Sequence, residues 1–434
     1  MGTLKSHRLA IDGGAPQFRF KIKLHNTIGW SEQIAVTKVL HSGVLSKFLG
    51  TWSDDFYGGP KVREFESLAS DMFDTKYAIS VNSWTSGLIA AVGAVGIAPG
   101  DEVIVTPWSM SASIAAVLHW GGIPVFADIE PKEFNIDPEK VREKISPRTK
   151  AILAADIFGK SANIVELMKI ANEFNLKVIS DTAQAPGSRT IGKYSGTVAH
   201  IGGISLNYHK HVHTGEGGLL FTDDAELAFR MQLIRNHAES IVAGASVANI
   251  SNLVGFNFRL GEIEAAIGIQ QLKKLEGIIE RKQELANVLT KELKGLSGLT
   301  LPDSDSSLRN VYYVYPLIID PDIIGVSRSL LVKALRAEGI PGLSEGYQNL
   351  HLLPVFQQKR AFGTEGFPWS HPSVSMNDYK YERGICPVAE SYHDEKFIGF
   401  GITGLNLKPK HIYEIGRAFR KVWGNLDNLA SIRN

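Results

Sequence analysis

The chain has 434 residues, 44% hydrophobic and 21% charged, a globular composition long enough for two or three domains with a sizeable core. Lys and Arg number 46 against 45 Asp and Glu, a formal charge of +1, which excludes the basic excess of a nucleic-acid or anionic-membrane binder. The one cysteine, Cys386, excludes a disulfide framework and a thiolate zinc cluster. No apolar run reaches the roughly 18–20 residues of a membrane span, and the opening MGTLKSHRLA lacks the apolar core of a secretion signal. The expectation is a soluble protein of the cytoplasm with no nucleic-acid or membrane partner. Gly2 and Ser6 match the myristoylation pattern, which is too short to carry weight.

The first 25 residues read as an extension. From residue 77 to 222 short apolar runs alternate with helical patterns. Strands are predicted at 77–81, 102–106, 124–128, 151–155, 177–180, 202–206 and 218–222, and their nearly continuous apolarity marks burial on both faces. Helices are predicted at 86–96, 111–121, 137–145 and 163–175, where apolar residues recur every three to four positions. Such alternation implies an α/β fold with a mostly parallel sheet covered by helices on both sides. Residues 261–296 contain no proline and predict one long or bent helix bridging two domains. The stretches 312–320, 327–340 and 410–423 then suggest a smaller α+β domain, with a loop-rich segment at 344–395. The expected division is an extension at 1–25, a large domain at 26–275 and a small C-terminal domain at 276–434.

Chemistry concentrates in three places. In SLNYHKHVHTGEGG (205–218), Lys210 follows a predicted strand and precedes a glycine-rich return. A lysine there can form a Schiff base with an aldehyde once desolvation lowers its pKa. An exposed hairpin lysine is the plain alternative. His209, His211 and His213 raise a metal site, but no carboxylate cluster adjoins them and no metal is expected. In VISDTAQA (178–185), Asp181 ends a buried strand where open α/β sheets bind ligands. It can pair with a ring nitrogen, and Gln184 can reach a ring substituent; a simple helix N-cap is the alternative. In NSWTSG (82–87), hydroxyls and N–H groups open a helix, a ready phosphate site. The order of phosphate cradle, carboxylate and lysine describes a pyridoxal 5'-phosphate (PLP) site.

These residues sit within a wider resemblance. GGPKVREFES (58–67), GIAPGDEVIVTPWSMSAS (96–113), FADIEPKEFNIDPEKVREKISPRTKAI (126–152), VISDTAQA, SLNYHKHVHTGEGG and GFNFRLGEIEAAIGIQQL (255–272) resemble, in order, the blocks of the DegT/DnrJ/EryC1/StrS sugar aminotransferases, which have fold type I. The resemblance implies a Schiff base at Lys210, a ring-nitrogen partner at Asp181 and a cofactor contact at Gln184. It puts the phosphate at the turn Ser83-Trp84-Thr85 and the hydroxyl of Ser205, with Asn257 reaching across a homodimer interface. Arg259 and Glu262 would hold a neighbouring helix. The implied reaction moves an amino group from glutamate or glutamine to a keto-sugar. The alternatives are a dehydratase of the same family, whose members carry histidine at the lysine position, and a binding protein that has lost catalysis.

Four departures stand out. Trp84 replaces a glycine in the phosphate turn, and Met110 aligns with the ring-stacking aromatic, a role Trp108 could assume. Asp156 stands where histidine is usual, and histidines surround Lys210. Trp52, Trp84, Trp108, Tyr208, Tyr347 and His351 are candidates for the substrate wall.

Overall fold

The computed structural model describes residues 8–303 and 308–431; Gly2 and Ser6 lie outside them. In the order of the chain the first strands are β1 Tyr77–Val81, β2 Glu102–Val105, β3 Ile123–Phe126, β4 Thr149–Ala155 and β5 Lys177–Asp181. A short hairpin follows, β6 Arg189–Thr190 and β7 Lys193–Tyr194, then β8 Ile201–Ser205 and β9 Gly218–Thr222. Seven of these form one sheet in the order β1-β9-β8-β5-β4-β2-β3. The pairings from β8 through β3 are parallel, whereas β9 runs antiparallel to both β8 and β1.

Neighbouring residues of the central strands enter different cores, because successive side chains of a strand point to opposite faces. Val103, Val105, Leu153 and Ile179 pack with the helix Trp84–Ala94, while Ile104, Ile152, Ala154 and Val178 pack with the helix Ile164–Phe174. Burial on both sides is what made these strands read as unbroken apolar runs.

The region predicted as one helix is two, Glu262–Leu272 and Leu275–Leu293. The interruption falls at Lys273 and Lys274, and Lys274 Nζ is drawn to the buried Glu32 at 2.6 Å. The break lets the chain change cores. Ala265, Ile269 and Leu272 pack under the large sheet, whereas Leu285, Leu289 and Leu293 enter a second core.

That second core belongs to an antiparallel sheet of β10 Leu299–Thr300, β11 Tyr315–Ile319, β12 Leu343–Glu345 and β13 Phe397–Phe400, in the order β10-β11-β13-β12. Helices Arg328–Ala337 and Pro409–Trp423 cover it. The start of the chain packs there too. Leu9 and Phe18 are buried in this core, and the N–H groups of Ala10 and Gln17 donate to the Glu338 carboxylate at 2.8 and 2.9 Å.

Glu262 performs the structural task expected of it. Its carboxylate accepts from the N–H groups of Lys61 and Val62 at 2.8 and 3.1 Å, capping the helix Pro60–Phe73. Arg259 donates from Nε to Asn236 Oδ1. Among the described residues no helix is long and apolar enough to cross a membrane.

Candidate active site

The topology gathers one cleft at the sheet's edge. β5 ends at Asp181, β8 ends at Ser205, and Val81 at the end of β1 pairs with Gly218 at the start of β9. The helix Trp84–Ala94 starts beside them. Ser83, Trp84, Thr85, Met110, Asp156, Asp181, Gln184, Ser205, His209 and Lys210 therefore line a common cleft.

At the helix start Ser83 is the N-cap, its Oγ accepting from Ser86 N at 3.1 Å, while Gly87 N bonds to Ser83 O. Those bonds leave the N–H groups of Trp84 and Thr85 as the helix-start donors toward the cleft, where the helix dipole favours an anion. The Ser205 hydroxyl lies on the same wall.

Lys210 is carried by the loop between β8 and β9. The loop is pinned by Leu206 N to Gly217 O, Lys210 N to Asn207 O and Thr214 N to Leu206 O. Gly217 has φ +149°, and a Cβ there would lie 2.7 Å from Thr214 Oγ1, so the return into β9 requires glycine. Lys210 Nζ sits 4.5 Å from the centroid of the Tyr313 ring. Burial lowers its pKa from 10.5 to about 8, with Asp181 pulling the other way. About a tenth of the amine is thus unprotonated at pH 7, far more than for an ordinary lysine, as a nucleophile requires.

The Asp181 carboxylate is held from two sides. Oδ1 accepts from the Trp84 indole Nε1–H at 2.6 Å and from Ala183 N at 3.2 Å, and Oδ2 accepts from Ser113 Oγ at 2.9 Å. Gln184 is equally constrained: Oε1 accepts from Phe158 N at 3.0 Å and Nε2 donates to the Tyr347 hydroxyl at 3.1 Å. One amide N–H of Gln184 remains for a ligand. Asp156 lies beneath, accepting from Ala162 N, Thr182 Oγ1 and Ser180 Oγ. Burial raises its pKa to about 7 in spite of those donors, and Asp181 nearby adds to the rise.

Several expectations need correction. Trp108 cannot stack on a ring in the cleft: it is fully buried, lies parallel to Phe134 and donates from its indole to Asn349 Oδ1 at 2.8 Å. Met110, 60% exposed, lines the cleft from that segment together with Ser109 and Ala112. Trp84 presents no indole surface as a substrate wall, because its ring is turned inward and buried. Trp52 packs on Phe56, Tyr57 and Phe229 away from the cleft, and His351 is buried against Glu390 at 2.8 Å. Asn257 is exposed and outside the cleft of its own chain, its carbonyl accepting from Asn82 Nδ2.

The histidines do not act as a set. His209 faces the cleft, whereas His211 is wholly buried with Nε2 on Val311 O at 2.8 Å, and burial depresses its pKa to about 3. No group of three or more His, Cys, Asp or Glu suited to a metal occurs among the described residues. Ser113, Tyr313 and Tyr347 were not singled out as partners of Asp181, Lys210 and Gln184. Ser113 lies one helical turn past Ser109 in a serine-rich helix start, a faint signal; Tyr313 arrives from more than 100 residues past Lys210 and left none, while Tyr347 was expected only as part of the substrate wall.

Comparison with known proteins gives a consistent result. The model of the DegT/DnrJ/EryC1/StrS aminotransferase family matches residues 49–375. The spore coat polysaccharide biosynthesis protein SpsC of Bacillus subtilis is 32% identical over 374 residues, covering 85% of this chain and 92% of that protein. GDP-perosamine synthase of Caulobacter vibrioides is 32% identical over 299 residues, 69% of this chain and 79% of that one. The solved aminotransferase of Psychrobacter cryohalolentis superposes with a TM-score of 0.79 at 25% identity, covering 94% of this chain and all of that one.

Proposed function

The chain belongs to the DegT/DnrJ/EryC1/StrS aminotransferase family, and from that premise we propose that it binds PLP in the cleft and transfers an amino group from glutamate or glutamine to a keto-sugar. The single observation that carries this reading is the convergence of Lys210, Asp181 and the helix start at Trp84 and Thr85 on one cleft. The donor set fits the cofactor: two helix N–H groups and the Ser205 hydroxyl suit a phosphate, Asp181 suits a protonated ring nitrogen, and Lys210 is an amine with a lowered pKa. When bound, the cofactor supplies an aldehyde and an electron-accepting ring.

The protein's share of the chemistry follows from its own groups. Lys210 would hold the cofactor through its aldehyde, and its free amine would take the proton from the donor's α-carbon. General acid–base work by one such group contributes about 10²–10⁴-fold. Asp181 would face the ring nitrogen and favour its protonated form, and Gln184 would hold a ring substituent. Presence of Lys210 at the histidine position of the dehydratases favours transamination. The keto-sugar reading draws on the names of the relatives, a spore-coat polysaccharide protein and a GDP-perosamine synthase.

We read the enzyme as a homodimer. The helix Trp30–Ser42 exposes Trp30 at 78%, Ile34 at 54% and Leu40 at 55%, an apolar face of the kind that pairs. Asn257 would then serve the phosphate of the partner's cleft. The buried, unpaired Cys386 suits a reducing compartment, and we place the reaction in the cytoplasm.

The test is an absorbance spectrum of the purified protein supplied with PLP, before and after L-glutamate and then L-glutamine. A visible band that one donor discharges supports the reading and names the donor. A band that neither donor discharges refutes transamination from these amino acids. No band at all refutes the role of Lys210.

A further inference from the structure

The indole of Trp84 is seated in a slot cut for it. A Cβ at Gly203 of β8 would lie 2.4 Å from both Trp84 Cη2 and Cζ3, and one at Gly87 would lie 2.9 Å from Trp84 Cε3. Two glycines therefore make room for the ring between helix and sheet, and they aim its one polar atom at Asp181 Oδ1, 2.6 Å away. An indole N–H is a donor only, so Asp181 Oδ1 is the acceptor in this contact. Oδ1 already receives Trp84 and Ala183, whereas Oδ2 receives only Ser113, which leaves Oδ2 with a free lone pair. The carboxylate is thereby fixed in one rotation, with one oxygen saturated and the other available.

We propose that Trp84 is a positioning residue for the ring-nitrogen contact: its indole N–H, seated over Gly203 and Gly87, holds Asp181 Oδ1 so that Oδ2 is presented to the protonated ring nitrogen of the cofactor. This role rests on the cofactor reading above. It differs from the expected contribution of the Ser83-Trp84-Thr85 turn, which is made by the backbone toward the phosphate. Position 84 serves both ends of the same ligand, with its N–H at the phosphate and its indole behind the ring.

The experiment measures the affinity of the cofactor-free protein for PLP and for the PLP analogue with carbon in place of the ring nitrogen. The ratio of the two affinities reports only what the ring nitrogen contributes. Wild type should prefer PLP, and Asp181→Asn should lose that preference. Trp84→Phe keeps most of the ring's bulk and loses the N–H, and should reduce the preference about tenfold, the worth of one hydrogen bond to a charged group. A Trp84→Phe protein with the full wild-type preference overturns the proposal while leaving the cofactor reading intact, provided Asp181→Asn has lost it. If wild type binds neither compound, or shows no preference between them, the cofactor reading of Asp181 falls and the proposal with it.

Should Trp84→Phe fail to fold, the intact protein answers through its seven tryptophans labelled with ¹⁵N. One indole N–H resonance should lie far downfield and move back in Asp181→Asn. Seven indole signals that all ignore that substitution overturn the proposal.

Discussion

Asp156→Asn should make the protein more stable, and more so at higher pH. Asp156 is 1% exposed, and burial lifts its pKa from 3.8 to about 7. Between those values the native state holds a proton that the unfolded chain has released. Stability therefore falls as pH rises through that window and stays reduced above it. A rise of this size corresponds to about 4 kcal/mol at pH 8. The asparagine amide has nothing to ionise, keeps an acceptor for Ala162 N and offers a donor to the Thr182 hydroxyl. Urea unfolding of both proteins at pH 5 and pH 8, followed by circular dichroism, measures the difference directly. The advantage of Asp156→Asn should be larger at pH 8 than at pH 5 by roughly 2–3 kcal/mol. A difference that does not change with pH would refute the argument that burial outweighs the three donors around this carboxyl.

Other substitutions address the remaining parts. Lys210→Ala should abolish transamination and, in protein supplied with PLP, the visible absorbance band; turnover near the wild-type rate would contradict the assignment. Because the lowered pKa puts the free amine above about pH 8, trapping of a simple aldehyde on the cofactor-free protein by borohydride should reach half its maximum at Lys210 near pH 8, read by peptide mass spectrometry; a midpoint near that of ordinary lysines would show the amine is not desolvated. Glu262→Ala strips the N–H groups of Lys61 and Val62 of their acceptor and should cost roughly 2–4 kcal/mol, seen as a lower thermal midpoint.

The sequence announced the large sheet because its strands are buried on both faces: Ile104 and Val105, adjacent in the chain, enter different cores. Lys210, Asp181 and Ser205 were legible for a related reason. Each sits at or just past the end of a strand, so knowing the strand locates the residue at the sheet's edge. The break in the stretch 261–296, expected as one long or bent helix, has no proline or glycine to mark it; Lys274 at the break pairs with Glu32, more than 200 residues away. Trp108 and Trp84 were misjudged for want of direction. Sequence spacing puts both near the cleft, but which way an indole turns depends on space left elsewhere, by Gly203 for Trp84 and by the aromatic cluster around Phe134 for Trp108. Tyr313 reaches Lys210 from late in the chain with nothing local to signal it, and Tyr347, expected at the substrate wall, accepts from Gln184 Nε2.

The glycine at position 203 has a bearing on how such a site changes over generations. A side chain there would meet the Leu219 carbonyl oxygen at 2.1 Å, so the register of β8 and β9 excludes one whatever residue stands at 84. On the sheet side the space beneath the helix start is thus inherited with β8 and β9, whereas on the helix side it depends on Gly87, where a Cβ would lie 2.9 Å from Trp84 Cε3. A chain with a small residue at 84 reaches the indole arrangement in one substitution only where position 87 is already glycine. The return step is less neutral, because it leaves an unfilled hole and removes a donor from Asp181. Gain and loss at this position are therefore unequal in what they do to the packing around it.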